Sequence, residues 1–330
     1  MARFGINPAR GKTSSYSPAE ITVATLTYLP HLDGYFRDRF EVLKLSIASI
    51  LAHTTQPYDF LVFDNGSCEQ VVSYLQGLKS SGAIDYLILS AENIGKIGAF
   101  QLLFNAAPGE YVAYADDDIY FYPGWLESLL DVVKSFPEVG MVSGAPVRDA
   151  SSRASGSLQR LIEAPGPEVR VTWEHRIPDE WEADWAKSVG RDPDVHLQDT
   201  KDKLDVILER DGIEVFGSAS HFQFLSPKKI ILEALPKQWS GKLMGEMNEL
   251  DEAVDQQGYL RLSTVARFTR HMGNTIGVDL VENARKIGFE QEIEPRKVRA
   301  RKHWLLTIPG SGRFLRMLYN YLFNVLHNIE

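Results

Sequence analysis

The sequence predicts an α/β fold in which a mostly parallel sheet carries helices on both faces and a C-terminal helical tail follows. Short apolar runs alternate with segments of helical periodicity, which is the pattern of βαβ units. The predicted strands cover 21–28, 60–63, 86–89 and 111–114, and the predicted helices lie near 43–51, 71–79 and 99–106. These strands lack regular polar alternation, which indicates that both of their faces are covered.

Composition restricts the class of protein further. The chain has 330 residues, of which 44% are hydrophobic and 24% charged, as in an ordinary globular protein. Its net charge of -9 argues against a nucleic-acid partner, which would require a basic surface. The single cysteine, Cys68, excludes an intramolecular disulfide and a cysteine-built zinc site. Because no signal peptide or membrane-spanning run is visible, we expect a cytoplasmic protein.

Changes in composition divide the chain into four regions. We expect a flexible lead-in over 1–20, a first α/β half over 21–145, a second half over 146–280, and a basic amphipathic helical tail over 281–330. The second half contains a polar insertion at 148–212 with three tryptophans, which we expect to be loop-rich. Regular patterning returns at 215–225, with a helix expected near 244–257 and a strand near 259–268.

Two acidic turns follow predicted strands. Asp64-Asn65-Gly66-Ser67 follows the second strand, and Asp116-Asp117-Asp118 follows the fourth. Ligands of open α/β sheets bind beyond the carboxyl ends of the strands. The first sequence is also what a tight turn prefers. Three adjacent carboxylates repel one another, so the second turn favours a metal- or phosphate-linked function; Mn²⁺ and Mg²⁺ prefer such oxygen ligands.

The motifs around these turns resemble family 2 glycosyltransferases with the GT-A fold, a Rossmann-like sheet. The resemblance rests on the strand ending Leu26-Thr27-Tyr28, the turn at Asp64, and the runs Asn93-Ile94-Gly95-Lys96, Gly109 to Asp118 and Pro123-Gly124-Trp125-Leu126. It covers about 21–145, which makes that half the donor side and 146–280 the acceptor side. It implies an inverting transfer from a nucleotide-diphosphate sugar to a saccharide or lipid-linked acceptor.

The resemblance also implies roles on the donor side. Asp64 would receive the nucleobase, with Thr27 and Tyr28 lining the same pocket, and Asp117 or Asp116 would hold the ribose. Metal ligation falls to Asp118, His271 and Asp116, with Mn²⁺ or Mg²⁺ bridging the diphosphate. The remaining implied donor-binding residues are Asn93, Gly95 and Lys96; Lys96 is either a second positive charge for the diphosphate or a solvated lysine at a helix start.

On the acceptor side, the family usually opens a helix with an acidic pair that supplies the catalytic base. Here that pair reads Glu246-Met247, so the second acidic position is a methionine. Glu246 is the first choice for the base, and Glu249 and Asp251 are the alternatives. Met247 also keeps open a catalytically degenerate protein that only binds nucleotide sugar. A sugar-phosphate nucleotidyltransferase is less favoured, because residues 29–34 lack a Gly-rich, Arg-containing loop.

The tail combines positive charge with apolar residues. Seven basic residues and no acidic one lie between Arg296 and Arg316. Such a helix can rest on an anionic membrane surface, which would place 296–326 peripherally on the inner face of the membrane. The alternative is a helix that packs on the catalytic domain or on a second copy in a homo-oligomer.

Overall fold

The structure is a computed structural model that describes residues 5–148, 153–238, 241–243, 245 and 247–289. Glu246 and the predicted tail segment 296–326 lie outside the described residues.

Strands and helices alternate through the first half, as predicted. In chain order the strands are β1 (Ile21–Thr27), β2 (Tyr58–Asp64), β3 (Tyr86–Leu89), β4 (Tyr111–Asp116), β5 (Ile119–Phe121), β6 (Val139–Ser143), β7 (Arg170–Glu174), β8 (Asp205–Arg210), β9 (Ile213–Phe216), β10 (Gln223–Pro227), β11 (Leu260–Thr264) and β12 (Thr269–His271). The helices are α1 (Arg39–His53), α2 (Glu69–Ser80), α3 (Lys96–Ala106), α4 (Trp125–Ser135), α5 (Gly156–Glu163), α6 (Asp179–Ser188), α7 (Pro193–Thr200), α8 (Lys228–Ala234), α9 (Met247–Gln256) and α10 (Val278–Lys286).

Ten strands form one sheet in the order β3-β2-β1-β4-β10-β6-β11-β9-β8-β7. The strands β3, β2, β1 and β4 are mutually parallel, β10 runs against them, and β6 and β11 are parallel to each other. The strands β9, β8 and β7 extend the sheet as an antiparallel ribbon. The predicted α/β class with a mostly parallel sheet is therefore confirmed, with antiparallel strands confined to the second half of the chain.

Apolar cores lie on both faces of the sheet. One core contains side chains of α1, α2 and α4, and the other contains side chains of α3, α8 and α9. Because both faces are covered, the central strands are buried at nearly every position and lack a regular alternation of apolar and polar residues. This burial also fixes the strand ends, and hence the turns that follow them.

Helix α1 is more buried than its periodicity predicts. Helical spacing places Leu43, Ile47 and Leu51 on one face; Leu43 and Ile47 are fully buried, but Leu51 is 38% exposed. Ser49 lies off that face and is nevertheless fully buried, and its hydroxyl accepts a hydrogen bond of 3.0 Å from the backbone N–H of Phe121. The short strand β5 covers this side of the helix, a long-range contact that periodicity cannot reveal.

The second half differs from the prediction in two places. The expected loop-rich insertion contains helices α5, α6 and α7 and the strands β7 and β8, which join the main sheet. The strand expected over 259–268 is shorter in the structure, where β11 ends at Thr264. The next strand, β12, does not belong to the main sheet. Strand β12 pairs antiparallel with β5 in a separate two-stranded ribbon. That ribbon carries one of the predicted metal ligands.

Within the described part of the chain, no helix combines the length and the apolar character that crossing a membrane requires.

Candidate active site

The carboxyl ends of β2, β1 and β4 lie side by side and bring the predicted donor-side residues together. Thr27 ends β1, Asp64 ends β2 and Asp116 ends β4. The Thr27 hydroxyl donates a hydrogen bond of 2.5 Å to Asp117 Oδ2, and the Asn65 N–H donates to the Thr27 carbonyl at 2.9 Å. The first strand end therefore links the two acidic turns.

Asp64 is a buried carboxylate with one free oxygen. Its Oδ2 accepts hydrogen bonds from the backbone N–H groups of Gly66 at 3.3 Å and Ser67 at 3.1 Å. Its Oδ1 is buried and has no hydrogen-bond partner among the described residues. Burial raises the pKa of Asp64, and the hydrogen bonds from Ser67 and Gly66 offset part of that effect. Asp64 thus retains an acceptor atom that a ligand could use.

Asn93 and Gly95 shape the loop before α3. Asn93 Oδ1 accepts hydrogen bonds from Asn65 Nδ2 at 2.9 Å and from the Gly95 N–H at 2.8 Å. Gly95 has φ +76°, and a Cβ there would lie 2.2 Å from the Lys242 carbonyl oxygen. Glycine is required because both the backbone conformation and the contact exclude a side chain. The structure therefore gives these two predicted donor-binding residues a role in holding the loop.

Lys96 is partnered by Asp116. Its Nζ lies 2.6 and 2.8 Å from the two carboxylate oxygens of Asp116, and both side chains are largely buried. The hydroxyl of Tyr114, a fully buried residue, donates to the same carboxylate. Lys96 is thus not a solvated lysine at the helix start. The Asp116 carboxylate is paired with the Lys96 ammonium group and accepts a hydrogen bond from the Tyr114 hydroxyl.

Arg39 pairs with the other two aspartates of the triple run. Its Nη1 lies 2.5 Å from Asp118 Oδ2 and donates to the Gly273 carbonyl at 3.2 Å, and its Nη2 pairs with Asp117. The side chain of Arg39 is only 12% exposed. One guanidinium therefore joins the start of α1, the acidic turn and the segment after β12.

The β5–β12 ribbon brings His271 to Asp118. His271 pairs with Ile119 in the ribbon, and the Met272 N–H donates to the Asp118 carbonyl at 2.8 Å. His271 Nε2 is 3.4 Å from Asp118 Oδ2, while its Nδ1 is 2.9 Å from the Ser188 hydroxyl. Two predicted metal ligands separated by more than 150 positions in the sequence are thereby adjacent in space.

Asp117 and Asp118 are both buried, but their pKa values are shifted in opposite directions. Burial raises the pKa of Asp117 to about 6, against the lowering effect of Arg39. Burial also acts to raise the pKa of Asp118, but His271, Arg39 and Lys96 outweigh it and lower that pKa. Asp118 is therefore the more firmly ionised member of the pair, which is the state that a metal ligand requires.

Part of the predicted ligand set fits a divalent cation. Asp118 Oδ1 is buried without a hydrogen-bond partner, and the adjacent His271 supplies a nitrogen ligand. Mg²⁺ and related cations usually take one or two protein carboxylates and complete their shell with phosphates and water. Asp116 is instead paired with Lys96 and Tyr114. No group of three or more potential metal ligands occurs in the residues that the structure describes.

The acceptor-side helix α9 holds the alternative bases in contrasting environments. Asp251 is buried, with Oδ2 at 2.9 Å from His221 Nδ1 and Oδ1 at 2.9 Å from Arg261 Nη2. Glu249 is exposed to solvent. Met247, which stands where the resemblance implies a second acidic residue, is buried in an apolar core. The first-choice base, Glu246, is outside the described residues.

A narrow cleft borders His271. Helix α6 of the insertion forms one wall with Trp181, Asp184 and Trp185, and Arg270 lies opposite, 3.1 Å from Asp184. Tyr28, the remaining predicted donor-side residue, is partly buried and packs edge-to-face against Phe36. The insertion therefore contributes to the surroundings of the predicted metal pair.

Sequence reasoning did not find Arg39 or Tyr114. Arg39 follows the first strand and opens α1, so it lies at the same sheet edge as the acidic turns. A basic residue in the first turn of a helix opposes the helix dipole, which is a signal that a carboxylate partner exists elsewhere. Tyr114 carried no such signal, because tyrosine is common in buried strands.

The described residues therefore form an α/β domain with a mostly parallel sheet, in which an acidic turn precedes a two-stranded ribbon. Residues 35–184 match the family model described as Glycosyl transferase family 2. This segment is thus similar to family 2 glycosyltransferases, and the resemblance indicated by the motifs is confirmed.

Individual relatives are distant. The chain is 26% identical over 121 residues to a glucosyl-dolichyl phosphate glucuronosyltransferase of Haloferax volcanii, covering 36% of this chain and 38% of the relative. It is 27% identical over 111 residues to an uncharacterized glycosyltransferase of a Nostoc species, covering 34% of each. The chain thus matches only about a third of the length of these relatives.

Solved structures give weaker similarities. GalNAc-T7 with UDP, GalNAc and Mn²⁺ matches with a TM-score of 0.47 and 11% identity, covering 77% of this chain and 44% of that one. The mannosyltransferase PcManGT from Pyrobaculum calidifontis, with GDP-Man and Mn²⁺, matches with a TM-score of 0.32 and 20% identity, covering 41% and 39%.

Proposed function

We propose that the protein is an inverting glycosyltransferase that depends on Mn²⁺ or Mg²⁺ and moves a sugar from a nucleotide-diphosphate sugar to a hydroxyl acceptor. The observation that carries the proposal is the Asp118–His271 pair. This pair lies beside the two acidic turns at the strand ends, which Thr27 links, and Asp118 falls within the segment that matches the family 2 model. A diphosphate leaving group needs positive charge where its own charge develops, and this pair is suited to hold it.

The donor would bind across the ends of the parallel strands. Asp64 Oδ1, which has no partner among the described residues, would accept a hydrogen bond from an N–H group of the nucleobase. Asp117 or Asp116 would accept a hydrogen bond from a ribose hydroxyl. Asp118 and His271 would hold the divalent cation, which when bound neutralises charge on the diphosphate as the glycosidic bond breaks. Lys96 lies beside this site with a second positive charge.

The transfer itself is a single displacement. The acceptor oxygen forms a bond to the anomeric carbon while the bond from that carbon to the diphosphate oxygen breaks, and the electron pair leaves with the diphosphate. The proton of the acceptor hydroxyl goes to a carboxylate, a contribution of about 10²–10⁴-fold when the base is well placed. Attack from the side opposite the leaving group inverts the anomeric centre.

Glu246 is our proposed base, with Glu249 and Asp251 as alternatives. The surroundings of Asp251 argue against it, because the carboxylate is buried, its Oδ2 is hydrogen-bonded to His221 and its Oδ1 is ion-paired with Arg261 at 2.9 Å. Glu249 is exposed on α9, next to the start of the helix where Glu246 lies in sequence.

The acceptor is proposed to be a saccharide, free or lipid-linked. The Haloferax volcanii relative is named for transfer to a glucosyl-dolichyl phosphate, which makes a polyprenyl-phosphate sugar a specific candidate to test. The basic sequence at 296–326 supports peripheral contact with an anionic membrane, where each basic residue is worth about 1 kcal/mol. Full-length protein should then co-sediment with anionic vesicles at low salt and dissociate at high salt, and a chain ending at Glu294 should not bind.

The function is tested by a transfer assay with a panel of nucleotide-diphosphate sugars. Product formation with free and polyprenyl-phosphate saccharides is measured with Mn²⁺, with Mg²⁺ and with EDTA. We expect one donor to be consumed in a cation-dependent reaction that yields the inverted product. Turnover undiminished by EDTA would contradict cation dependence, and a retained anomeric configuration would contradict the single displacement.

A second candidate is a protein that binds a nucleotide sugar without transferring it. The burial of Met247 in an apolar core favours it, because this position cannot supply a base. Cation-dependent binding of a donor without transfer to any acceptor, and without hydrolysis, would favour this candidate over the enzyme.

A further inference from the structure

The Arg39 guanidinium pairs with two carboxylates that have roles in the proposed function. It contacts Asp118 Oδ2 at 2.5 Å and also pairs with Asp117. All three side chains are nearly buried, with exposures of 12% for Arg39, 9% for Asp118 and 6% for Asp117. Charges in this environment attract one another more strongly than at the surface, so the guanidinium is a strong competitor for any cation at Asp118.

Arg39 is an unusual residue for its place in the fold. It is the first residue of α1, where the partial positive charge of the helix terminus disfavours a cation. Burying a guanidinium is also costly unless carboxylates or other acceptors surround it. Its Nε is buried without a hydrogen-bond partner among the described residues. Helix stability and burial therefore both oppose an arginine here, and the acidic turn is what retains it.

The position of the guanidinium conflicts with a cation at the same carboxylate. A Mg²⁺ ion lies about 2.0–2.1 Å from its ligand oxygens. A cation on Asp118 would therefore place a second positive centre very close to Arg39 Nη1. A diphosphate bound to that cation would put phosphate oxygens beside the same nitrogen, and arginine binds phosphate as well as it binds carboxylate.

We propose that Arg39 is the internal counter-ion of Asp117 and Asp118 in the free protein, and that its transfer from Asp118 to the diphosphate couples cation binding to nucleotide binding. This inference rests on the proposed function, since it assumes a diphosphate ligand. In the free protein the guanidinium, paired with Asp118 Oδ2, weakens the binding of a cation to the same carboxylate. When cation and diphosphate arrive together, the phosphate accepts the guanidinium, so each ligand increases the affinity for the other.

The test is calorimetric titration with Mn²⁺ alone, and then with UDP and with GDP in the presence and absence of Mn²⁺. In the wild-type protein we expect weak binding of Mn²⁺ alone and mutual strengthening with one nucleotide by about 5–150-fold, the usual range of coupling between two sites. In Arg39→Gln we expect Mn²⁺ alone to bind at least about tenfold more tightly than in wild type, a factor near the lower end of the coupling range. The coupling factor should fall towards one.

Two further variants keep the result interpretable. Arg39→Lys retains a positive charge that cannot bridge both carboxylates in the same way, so its Mn²⁺ affinity should be intermediate. Arg37→Gln removes an exposed charge two positions away and should behave as wild type. Melting temperatures of all variants identify any that fail to fold, in which case Arg39→Lys decides the question.

The outcomes separate this inference from the proposed function. If Arg39→Gln and Arg39→Lys bind Mn²⁺ alone no more tightly than wild type, Arg39 does not compete with the cation and the inference is wrong. If these variants do gain Mn²⁺ affinity but neither nucleotide binds any of the proteins, the competition stands, while the transfer to a diphosphate and the proposed function both fail.

Discussion

The donor side and the acceptor side of the site keep their charged groups in place by different means. On the donor side, carboxylates at the ends of adjacent strands are paired with Lys96 and Arg39, and Asp64 retains a free oxygen. On the acceptor side, the buried carboxylate Asp251 is paired with two basic side chains, those of His221 and Arg261. A negatively charged ligand could pair with the basic residues on the donor side in place of the carboxylates. The basic partners of Asp251 instead join α9 to the sheet.

The sharpest test of this contrast is Asp251→Ala. Removing the carboxylate leaves the buried guanidinium of Arg261 without its ion pair, although the arginine still donates to the Ala219 carbonyl at 2.8 Å. We expect a loss of about 3–5 kcal/mol in the free energy of unfolding, measured with urea.

Glu249→Ala on the same helix is the matched control. Because Glu249 is exposed, its removal should change stability by no more than about 0.5 kcal/mol. An Asp251→Ala protein as stable as this control would mean that the buried pair does not hold the helix to the sheet.

Glu246→Gln should separate catalysis from donor binding. The amide keeps the size of the side chain but cannot accept the acceptor's proton, so kcat should fall by about 10²-fold or more with donor affinity nearly unchanged. Steady-state kinetics and calorimetry of the same protein measure the two quantities. If Glu246→Gln remains active while Glu249→Gln loses activity, the base has been assigned to the wrong carboxylate.

Asp64 should make nucleotide binding depend on pH. Burial raises the pKa of Asp64, so its carboxylate gains a proton sooner than an exposed aspartate as the pH falls. The protonated form loses acceptor strength towards a nucleobase N–H, and a hydrogen bond to a charged group is worth about 1.5–3 kcal/mol. UDP or GDP affinity should therefore decrease from pH 7 to pH 5, and Asp64→Asn should bind weakly with a flatter pH profile over this interval.

The same shift has an opposite consequence for stability. Because the folded state binds the Asp64 proton more tightly than the unfolded state, its contribution to stability is fully present at low pH and is lost as the pH rises through the raised pKa. As the pH rises from 5 to 7, the free energy of unfolding of wild type should thus decrease relative to that of Asp64→Asn. Nucleotide affinity in wild type that is independent of pH would contradict a role for Asp64 as the acceptor.

The donor side was largely predictable because its residues follow strands that the sequence marks clearly. Apolar runs identify β1, β2 and β4, and parallel pairing then brings Thr27, Asp64 and Asp116 to one edge. Local spacing could not show which cation meets which carboxylate. Arg39 reaches Asp118 across 79 positions, and only the packed position of α1 against β5 determines that contact.

The second half of the chain was less predictable because its strands depend on distant partners. Residues 148–212 are polar, yet β7 and β8 form by extending an existing sheet, with β7 largely exposed. His271 was found through the family resemblance and not from its local pattern. What brings it to Asp118 is the pairing of β12 with β5, two strands of three residues each, which are too short to show a periodic pattern.

The proposed role of Asp118 in holding the cation through which a nucleoside diphosphate binds is best examined by calorimetry of Asp118→Ala. UDP and GDP are titrated into wild type and variant with and without Mn²⁺, and melting temperatures establish that the variant is folded, with Asp118→Asn in reserve. We expect one nucleotide to bind wild type more tightly with Mn²⁺ and the variant to lose this Mn²⁺-dependent gain. A folded variant whose Mn²⁺-dependent nucleotide affinity equals that of wild type would contradict this role of Asp118.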